Sequence, residues 1–203
     1  MPITDIRPVK SALREKYKAM RLSLDSDVKQ NWDEAVTRRV LSLWQYRSCE
    51  WLLIYVSTPI EVDTHALVRQ ALADGKKVAV PRCVPQTRDM EFYRITSLEE
   101  LVPGTFGVLE PEPSAQNLVQ APAHALCVVP AFCYDREGFR LGYGKGYYDR
   151  FLFRYEGQLI GLCYDNCMTG RLPHGRYDRC VSLVVTERRL YKIPQKRGEP
   201  YDR

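Results

Sequence analysis

Along the opening part of the chain the apolar positions recur every three to four residues; further on they gather into short unbroken runs. Over residues 9–24, Ala12, Leu13, Tyr17, Met20 and Leu24 keep helical spacing with Lys and Arg between them, which predicts an amphipathic helix. Asp25 or Ser26 is placed to cap a second helix, whose apolar face would carry Val28, Trp32, Ala35, Val36, Val40, Leu43 and Trp44. Residues 51–56 (WLLIYV) then form a continuous β-type run that ends at the turn-prone Ser57-Thr58-Pro59. A short helix over His65–Ala73, stopped by Gly75, is followed by strands at 77–80 and 91–95 and a helical turn at 97–101. Residues 103–122 hold four prolines and two glycines and read as irregular connection. Beyond them the pattern predicts strands at 125–129, 159–164 and 181–186 and a helix over 147–155.

Unbroken apolar strands alternating with helices predict an α/β fold. The expectation is a single compact domain over residues 1–203, with a mostly parallel or mixed sheet flanked by helices on both faces. Residues 1–47 form its helical N-terminal extension, and residues 195–203 read as a disordered tail. The hydrophobic share of 45% and charged share of 27% match ordinary globular usage and exclude collagen, coiled coil and disorder. A chain of 203 residues buries roughly 70% of its unfolded surface, so it needs no covalent staple. No apolar run approaches the roughly 20 residues of a membrane span, and the charged N-terminus lacks the apolar segment of a signal peptide; both point to a cytoplasmic protein. Seven cysteines without a C-x-x-C pair read as reduced thiols, mostly buried.

The net charge is +5, with six Lys or Arg against two acids in residues 1–22 and six against three in residues 187–203. That balance favours anionic partners without choosing among them, and solvated helix faces would give the same count. More specific is the stretch after the 125–129 strand, because ligands of open α/β sheets bind beyond the carboxyl ends of strands. Here Arg140-Leu-Gly142-Tyr-Gly144-Lys145-Gly146 leads into the helix at Tyr147. Alternate glycines let successive N–H groups face an anion, the helix N-terminus adds its positive end, and Lys145 and Arg140 supply charge for phosphate oxygens. The run is neither a P-loop nor a dinucleotide fingerprint. On residue chemistry alone, a phosphate-binding loop and a structural glycine turn both remain open.

The run RLGYGKGYYDRFL (140–152), preceded by VPAFCYDREGF (129–139), resembles the signature of the 5-formyltetrahydrofolate cyclo-ligase family, also called 5,10-methenyltetrahydrofolate synthetase. Weaker pieces follow in the family's order: Lys10-Ser-Ala-Leu-Arg14, Glu61-Val-Asp63-Thr64, residues 77–81, Met90-Glu-Phe92-Tyr93, Gly107-Val-Leu-Glu110-Pro111, and the segment from Asp178 to Thr186-Glu187. The resemblance implies an ATP-dependent ring closure. The γ-phosphoryl group passes to the formyl oxygen on N5, N10 attacks the activated carbon, and ADP and phosphate leave.

Carried over residue by residue, the resemblance implies ATP contacts at Lys10, Arg14, Arg140, Leu141, Gly142, Tyr143, Gly144, Lys145, Gly146, Tyr147 and Tyr148. Among these, Lys145, Arg140 and Tyr148 are the expected catalytic groups. Folate contacts are implied at Val56, Glu61, Met90, Phe92, Tyr147 and Tyr148, and magnesium ligands at Asp149 and Asp178. The implied ligands are MgATP and 5-formyltetrahydrofolate, with or without a polyglutamate tail, bound by a monomer that engages neither nucleic acid nor membrane. Each residue also has a plainer reading: exposed charges for Lys10 and Arg14, helix N-terminal acids for Glu61 and Asp149, a turn residue for Asp178, core packing for Val56 and one of the two tyrosines. The chain departs from the family's common pattern before Asp178, where Gly175 and Tyr177 stand in place of an acid and a histidine. It also lacks the glutamine often found within residues 165–168. The altered segment keeps in view a folate or nucleotide binder of this fold without efficient turnover; the net charge and basic termini keep in view a nucleic-acid-binding domain, and a kinase with another acceptor is the remaining enzyme alternative.

Overall fold

The computed structural model describes residues 6–120, 122, 124–175 and 178–194. Tyr177 and the expected tail at 195–203 lie outside the described residues. In chain order the elements are α1 (Arg7–Leu22), α2 (Ser26–Ser42), α3 (Trp44–Ser48), β1 (Trp51–Ile54), α4 (His65–Ala73), β2 (Lys77–Cys83), β3 (Met90–Ile95), β4 (Val102–Pro103), β5 (Leu109–Glu110) and β6 (Leu118–Val119). They continue with β7 (Leu126–Val129), β8 (Cys133–Asp135), β9 (Arg140–Leu141), α5 (Tyr147–Phe153), β10 (Gln158–Leu162), β11 (Met168–Thr169), β12 (Leu183–Val185) and β13 (Leu190–Lys192).

Eight strands form the main sheet in the order β13-β12-β10-β7-β1-β2-β3-β6. The five central strands run parallel, and β13 on one flank and β3 and β6 on the other are antiparallel. The central strands are covered on both faces, which is why they are continuous apolar runs: Leu52, Leu53 and Ile54 of β1 and all of β7 are buried. From β1 the chain moves outward to β2, and from β7 it moves the other way to β10 and β12. The reversal falls between the neighbours β1 and β7, where the carboxyl ends of the two strands open a crevice.

The helical opening forms largely as its periodicity predicts. Asp25 is the cap of α2, its Oδ1 accepting from the N–H groups of Asp27 and Val28 at 2.9 and 3.2 Å. Trp44 differs from expectation. Leu43 adopts extended backbone and ends α2 at Ser42, so the helical register restarts and Trp44 is 64% exposed. The first strand also stops two residues early, leaving Tyr55 and Val56 beyond the sheet. Conversely, β2 continues through Pro81 to Cys83. It pairs with β1 only as far as Ala79, so the missing N–H of Pro81 faces no ladder on that side. Residues 103–122 are not wholly irregular: β4 and β5 make a small hairpin, and β6 adds the outermost strand of the main sheet.

A three-stranded sheet, β11-β8-β9, completes the fold. Its Tyr134 lies so close over Gly161 of β10 that a Cβ there would come within 2.3 Å of the ring. Asp135 is fully buried and accepts from the backbone N–H groups of Glu137, Phe139 and Leu172 at 2.9 Å each. That fixes the turn from which the glycine-rich run departs. All seven cysteines are free thiols, five of them buried.

Candidate functional site

The loop that follows β1 is braced from within. Thr64 donates from Oγ1 to the Tyr55 carbonyl at 2.8 Å and accepts from the Ser57 N–H at 3.1 Å, and the Tyr55 hydroxyl donates to the Val62 carbonyl at 3.0 Å. This bracing turns Glu61 inward, leaving it 6% exposed. Its Oε2 accepts from the N–H and hydroxyl of Thr58 at 2.7 and 2.9 Å, and its Oε1 accepts from the Tyr143 hydroxyl at 2.6 Å. Glu61 is therefore not a helix N-terminal acid; α4 starts four residues later, at His65.

Tyr143 belongs to the glycine-rich run, which crosses beneath α1. Gly144 and Gly146 have φ of +84° and +81°, a region that favours glycine, and Gly146 stands directly before α5. Arg14 of α1 donates from Nε to the Gly142 carbonyl at 2.8 Å and lies over Gly144, where a Cβ would fall 3.0 Å from its guanidinium carbon. The Tyr143 ring packs 4.4 Å from Phe132, centroid to centroid. Burial and then the Glu61 charge push its hydroxyl pKa far above the ordinary tyrosine value, so it remains a proton donor.

A cavity of about 530 Å³ opens between this run and the ends of β1, β2 and β7. Of the expected site residues, Val56, Glu61, Met90, Arg140, Lys145 and Asp149 line it, as do Gly142 through Tyr148. Tyr148 is half-buried, and its hydroxyl is buried without a hydrogen-bond partner among the described residues. Burial raises its pKa well above the ordinary value. Two expected contacts are buried in the core instead of lining the cavity. Phe92 is 2% exposed and packs against Phe151 at 4.7 Å, centroid to centroid; it shares a face of β3 with Met90, but α5 covers it. Leu141 is likewise buried in the core.

Arg140, 9% exposed, donates to the Arg179 carbonyl at 3.1 Å and is ion-paired with Asp149. Asp149 thus faces a guanidinium instead of capping α5. Lys10 and Asp178, 168 residues apart in sequence, pair at 3.0 Å, and Asp178 also accepts from the Gly175 N–H at 3.0 Å. Burial alone would raise the Asp178 carboxyl; the Gly175 N–H, Lys10 and the charge of Arg140 together lower it. The departure at Gly175 is therefore compatible with a fixed Asp178, since the contact is made by backbone. Lys10, Arg14 and Asp178 lie outside the cavity lining, at the α1 side of the loop.

Among the described residues no cluster of three or more His, Cys, Asp or Glu forms a metal cage. Asp149 and Asp178 are instead two carboxylates that feel the same guanidinium, with 48% and 24% of their side chains exposed. Two oxygen donors with open faces suit a magnesium ion, which takes one or two carboxylates and completes its shell with water and phosphate.

Sequence reasoning missed part of the site. The end of β2 obeys the same carboxyl-end rule as β1, yet Pro81 was visible only within the 77–81 run and Cys83 only as one of seven thiols. Glu110 was visible only as a piece of the Gly107–Pro111 run, and the structure buries it at the cavity wall with 3% exposure. Arg21 gave no signal among six basic residues. It is 4% exposed and donates to the carbonyls of Ile60, Ala131 and Phe132 at 3.3, 2.6 and 2.9 Å, tying the loop after β1 to the loop after β7.

Similarity to known proteins extends over most of the chain. Residues 6–187 match the profile of the 5-formyltetrahydrofolate cyclo-ligase family. The chain is 34% identical over 219 residues to the mitochondrial 5-formyltetrahydrofolate cyclo-ligase of Arabidopsis thaliana, covering 95% of this chain and 78% of that protein. It is 28% identical over 194 residues to the probable 5-formyltetrahydrofolate cyclo-ligase of Caenorhabditis elegans, covering 90% and 94%. The NMR structure of Aquifex aeolicus 5,10-methenyltetrahydrofolate synthetase superposes with a TM-score of 0.81 at 30% identity, covering 95% of this chain and 96% of that one.

Proposed function

The chain belongs to the 5-formyltetrahydrofolate cyclo-ligase family, and from that premise we propose that it closes 5-formyltetrahydrofolate to 5,10-methenyltetrahydrofolate, converting ATP to ADP and phosphate. The observation that carries this reading is the 2.6 Å hydrogen bond from Tyr143 to Glu61, which joins a cationic glycine loop to a buried carboxylate in one cavity. In the first step the bond between the β,γ-bridging oxygen and the γ-phosphorus of ATP breaks, and the formyl oxygen takes the phosphoryl group. In the second, N10 adds to the formyl carbon and loses its proton, and the carbon–oxygen bond breaks to release phosphate.

Lys145, Arg140 and the loop N–H groups offset the charge that spreads over the phosphoryl oxygens. The Tyr148 hydroxyl, which has no hydrogen-bond partner among the described residues, supplies a further hydrogen bond there. Glu61, held by Thr58 and Tyr143, orients the folate at N10 so that the nucleophile stays in line with the activated carbon. Val56 and Met90 give the reacting centre apolar cover against water. Lys10 and Arg14 bring α1 over the bound nucleotide. Asp149 and Asp178 would hold magnesium, which neutralises phosphate charge; to do so they exchange their present partners, Arg140 and Lys10.

No helix among the described residues is long and apolar enough to cross a membrane. We assign a monomer in the cytoplasm; the seven free thiols support a reducing compartment, while the Arabidopsis relative is mitochondrial by name.

The test is the rise of methenyl-folate absorbance when purified protein meets 5-formyltetrahydrofolate and MgATP. The expected signal requires ATP and falls at least about 100-fold in Lys145→Ala, the scale of a lost charge-stabilising group. Folate binding without ADP formation would favour a non-catalytic binder of the same fold, and absence of both binding and turnover would overturn the reading.

A further inference from the structure

The cavity wall contains two buried carboxylates in opposite conditions. Glu61 already accepts three hydrogen bonds, all of 2.9 Å or shorter. Glu110 is buried more deeply, yet its contacts are long or weak. Its Oε1 is 3.4 Å from the Cys83 N–H, and its Oε2 is 3.9 Å from Arg82 Nη1. That same Nη1 is committed to the Pro111 carbonyl at 2.6 Å. The Cys83 thiol is a further neighbour and a weak donor, whose pKa burial and then Glu110 push up to about 11. An ionised carboxylate has room for about four hydrogen bonds, so Glu110 keeps strong acceptor capacity at a cavity surface.

The carboxylate is also held in place. A Cβ on Gly104 would sit 2.5 Å from Cγ, Cδ and Oε2 of Glu110, so the β4–β5 hairpin lays bare backbone directly against it. Pro81, Val108 and Met90 provide apolar cavity lining. A buried anion set in an apolar wall calls for a flat ligand that offers two adjacent donors and no charge of the same sign. Phosphate is excluded by its charge. Adenine presents an amino donor beside a ring acceptor and satisfies only one oxygen. A 2-amino-4-oxopyrimidine presents N3–H beside an exocyclic amino group and satisfies both.

We propose that Glu110 is the specificity residue for the pterin end of the substrate, accepting hydrogen bonds from N3–H and the 2-amino group. The assignment rests on the folate reading above. It places Glu61 with the reacting N5–N10 region and Glu110 with the far ring edge, two carboxylates with separate tasks.

The test compares 5-formyltetrahydrofolate with its 2-desamino analogue, in which hydrogen replaces the amino group, by calorimetric affinity and by KM. Wild-type protein is expected to favour the amino compound by about 10- to 100-fold, the loss when a hydrogen bond to a buried charged group goes unmade. Glu110→Gln should raise KM for 5-formyltetrahydrofolate and shrink that preference below about threefold, leaving KM for MgATP unchanged. Equal affinity of the wild type for both compounds overturns the proposal without any variant, so a misfolded Glu110→Gln does not shield it. Full preference retained in a folded Glu110→Gln overturns it as well. A wild type that neither binds nor converts folate overturns the function itself, a result distinct from turnover without discrimination.

Discussion

At the scale of the residue, the protein separates charges by giving each a different set of partners. Asp63 is an example outside the cavity. Burial would raise its carboxyl, but His65 at 2.6 Å and the N–H groups of His65 and Ala66 hold it at about 2, below its ordinary 3.8. On acidification the unfolded chain takes up this proton first. The stabilisation is therefore full above about pH 4 and drains away as the pH falls toward about 2. Urea midpoints at about pH 6, about pH 4 and about pH 2.5 should show wild type and Asp63→Asn far apart at the highest pH and converging at the lowest. A gap that widens with acid would contradict the assignment. Residue types in the Glu61–Thr64 segment were legible as functional or capping, but their division of labour was not. Whether a carboxylate caps a helix, pairs with His65 or turns inward to Tyr143 depends on groups as far as 82 residues away.

At the scale of the element, α1 is the member whose role most exceeds its pattern. Its periodicity predicts one buried stripe, and Tyr17 and the partly buried Leu13 and Met20 provide it. The same helix also sends Lys10 to Asp178, Arg14 to the glycine loop and Arg21 into the switch point between β1 and β7. Arg21→Ala should leave three inward carbonyls without their donor and destabilise the fold by about 3 kcal/mol or more, read as a fall in the urea midpoint. A change under about 0.5 kcal/mol would mean that Arg21 is an ordinary surface charge. Strands, by contrast, were legible wherever both faces are covered, as in β1, β7, β10 and β12. Apart from β12, the two- and three-residue strands, β4, β5, β6, β8, β9, β11 and β13, were not. Too few residues lie in each to show a period, and pairing rather than propensity defines them.

At the scale of the whole molecule, the site is assembled from the loop after β1, the end of β2, the β4–β5 hairpin and the run before α5, with α1 laid across the last. Nucleotide bound there should stabilise the folded state by mass action. MgADP at about 100 times its Kd contributes about 2.7 kcal/mol, which for a chain of this size raises Tm by about 5–10 °C. Lys145→Ala should abolish most of that shift. An unchanged shift in the variant would move the phosphates away from the loop.

The sequence by itself determined the order of helices and buried strands, the parallel character of the sheet and the glycine-rich run that carries the family's signature. Those features are local: the face a residue presents follows from its spacing to near neighbours, and glycines at 144 and 146 announce backbone that few other residues adopt. Only the tertiary structure decided which charges are buried and what satisfies them. Lys10 finds Asp178 across 168 positions, Arg21 meets carbonyls more than 100 positions away, and Phe92 turns to the core while Glu110 turns to the cavity. Periodicity encodes which side of an element is inside but carries no information on which polar group waits there. In a low-dielectric interior that partner, more than the residue type, sets what a charge can do.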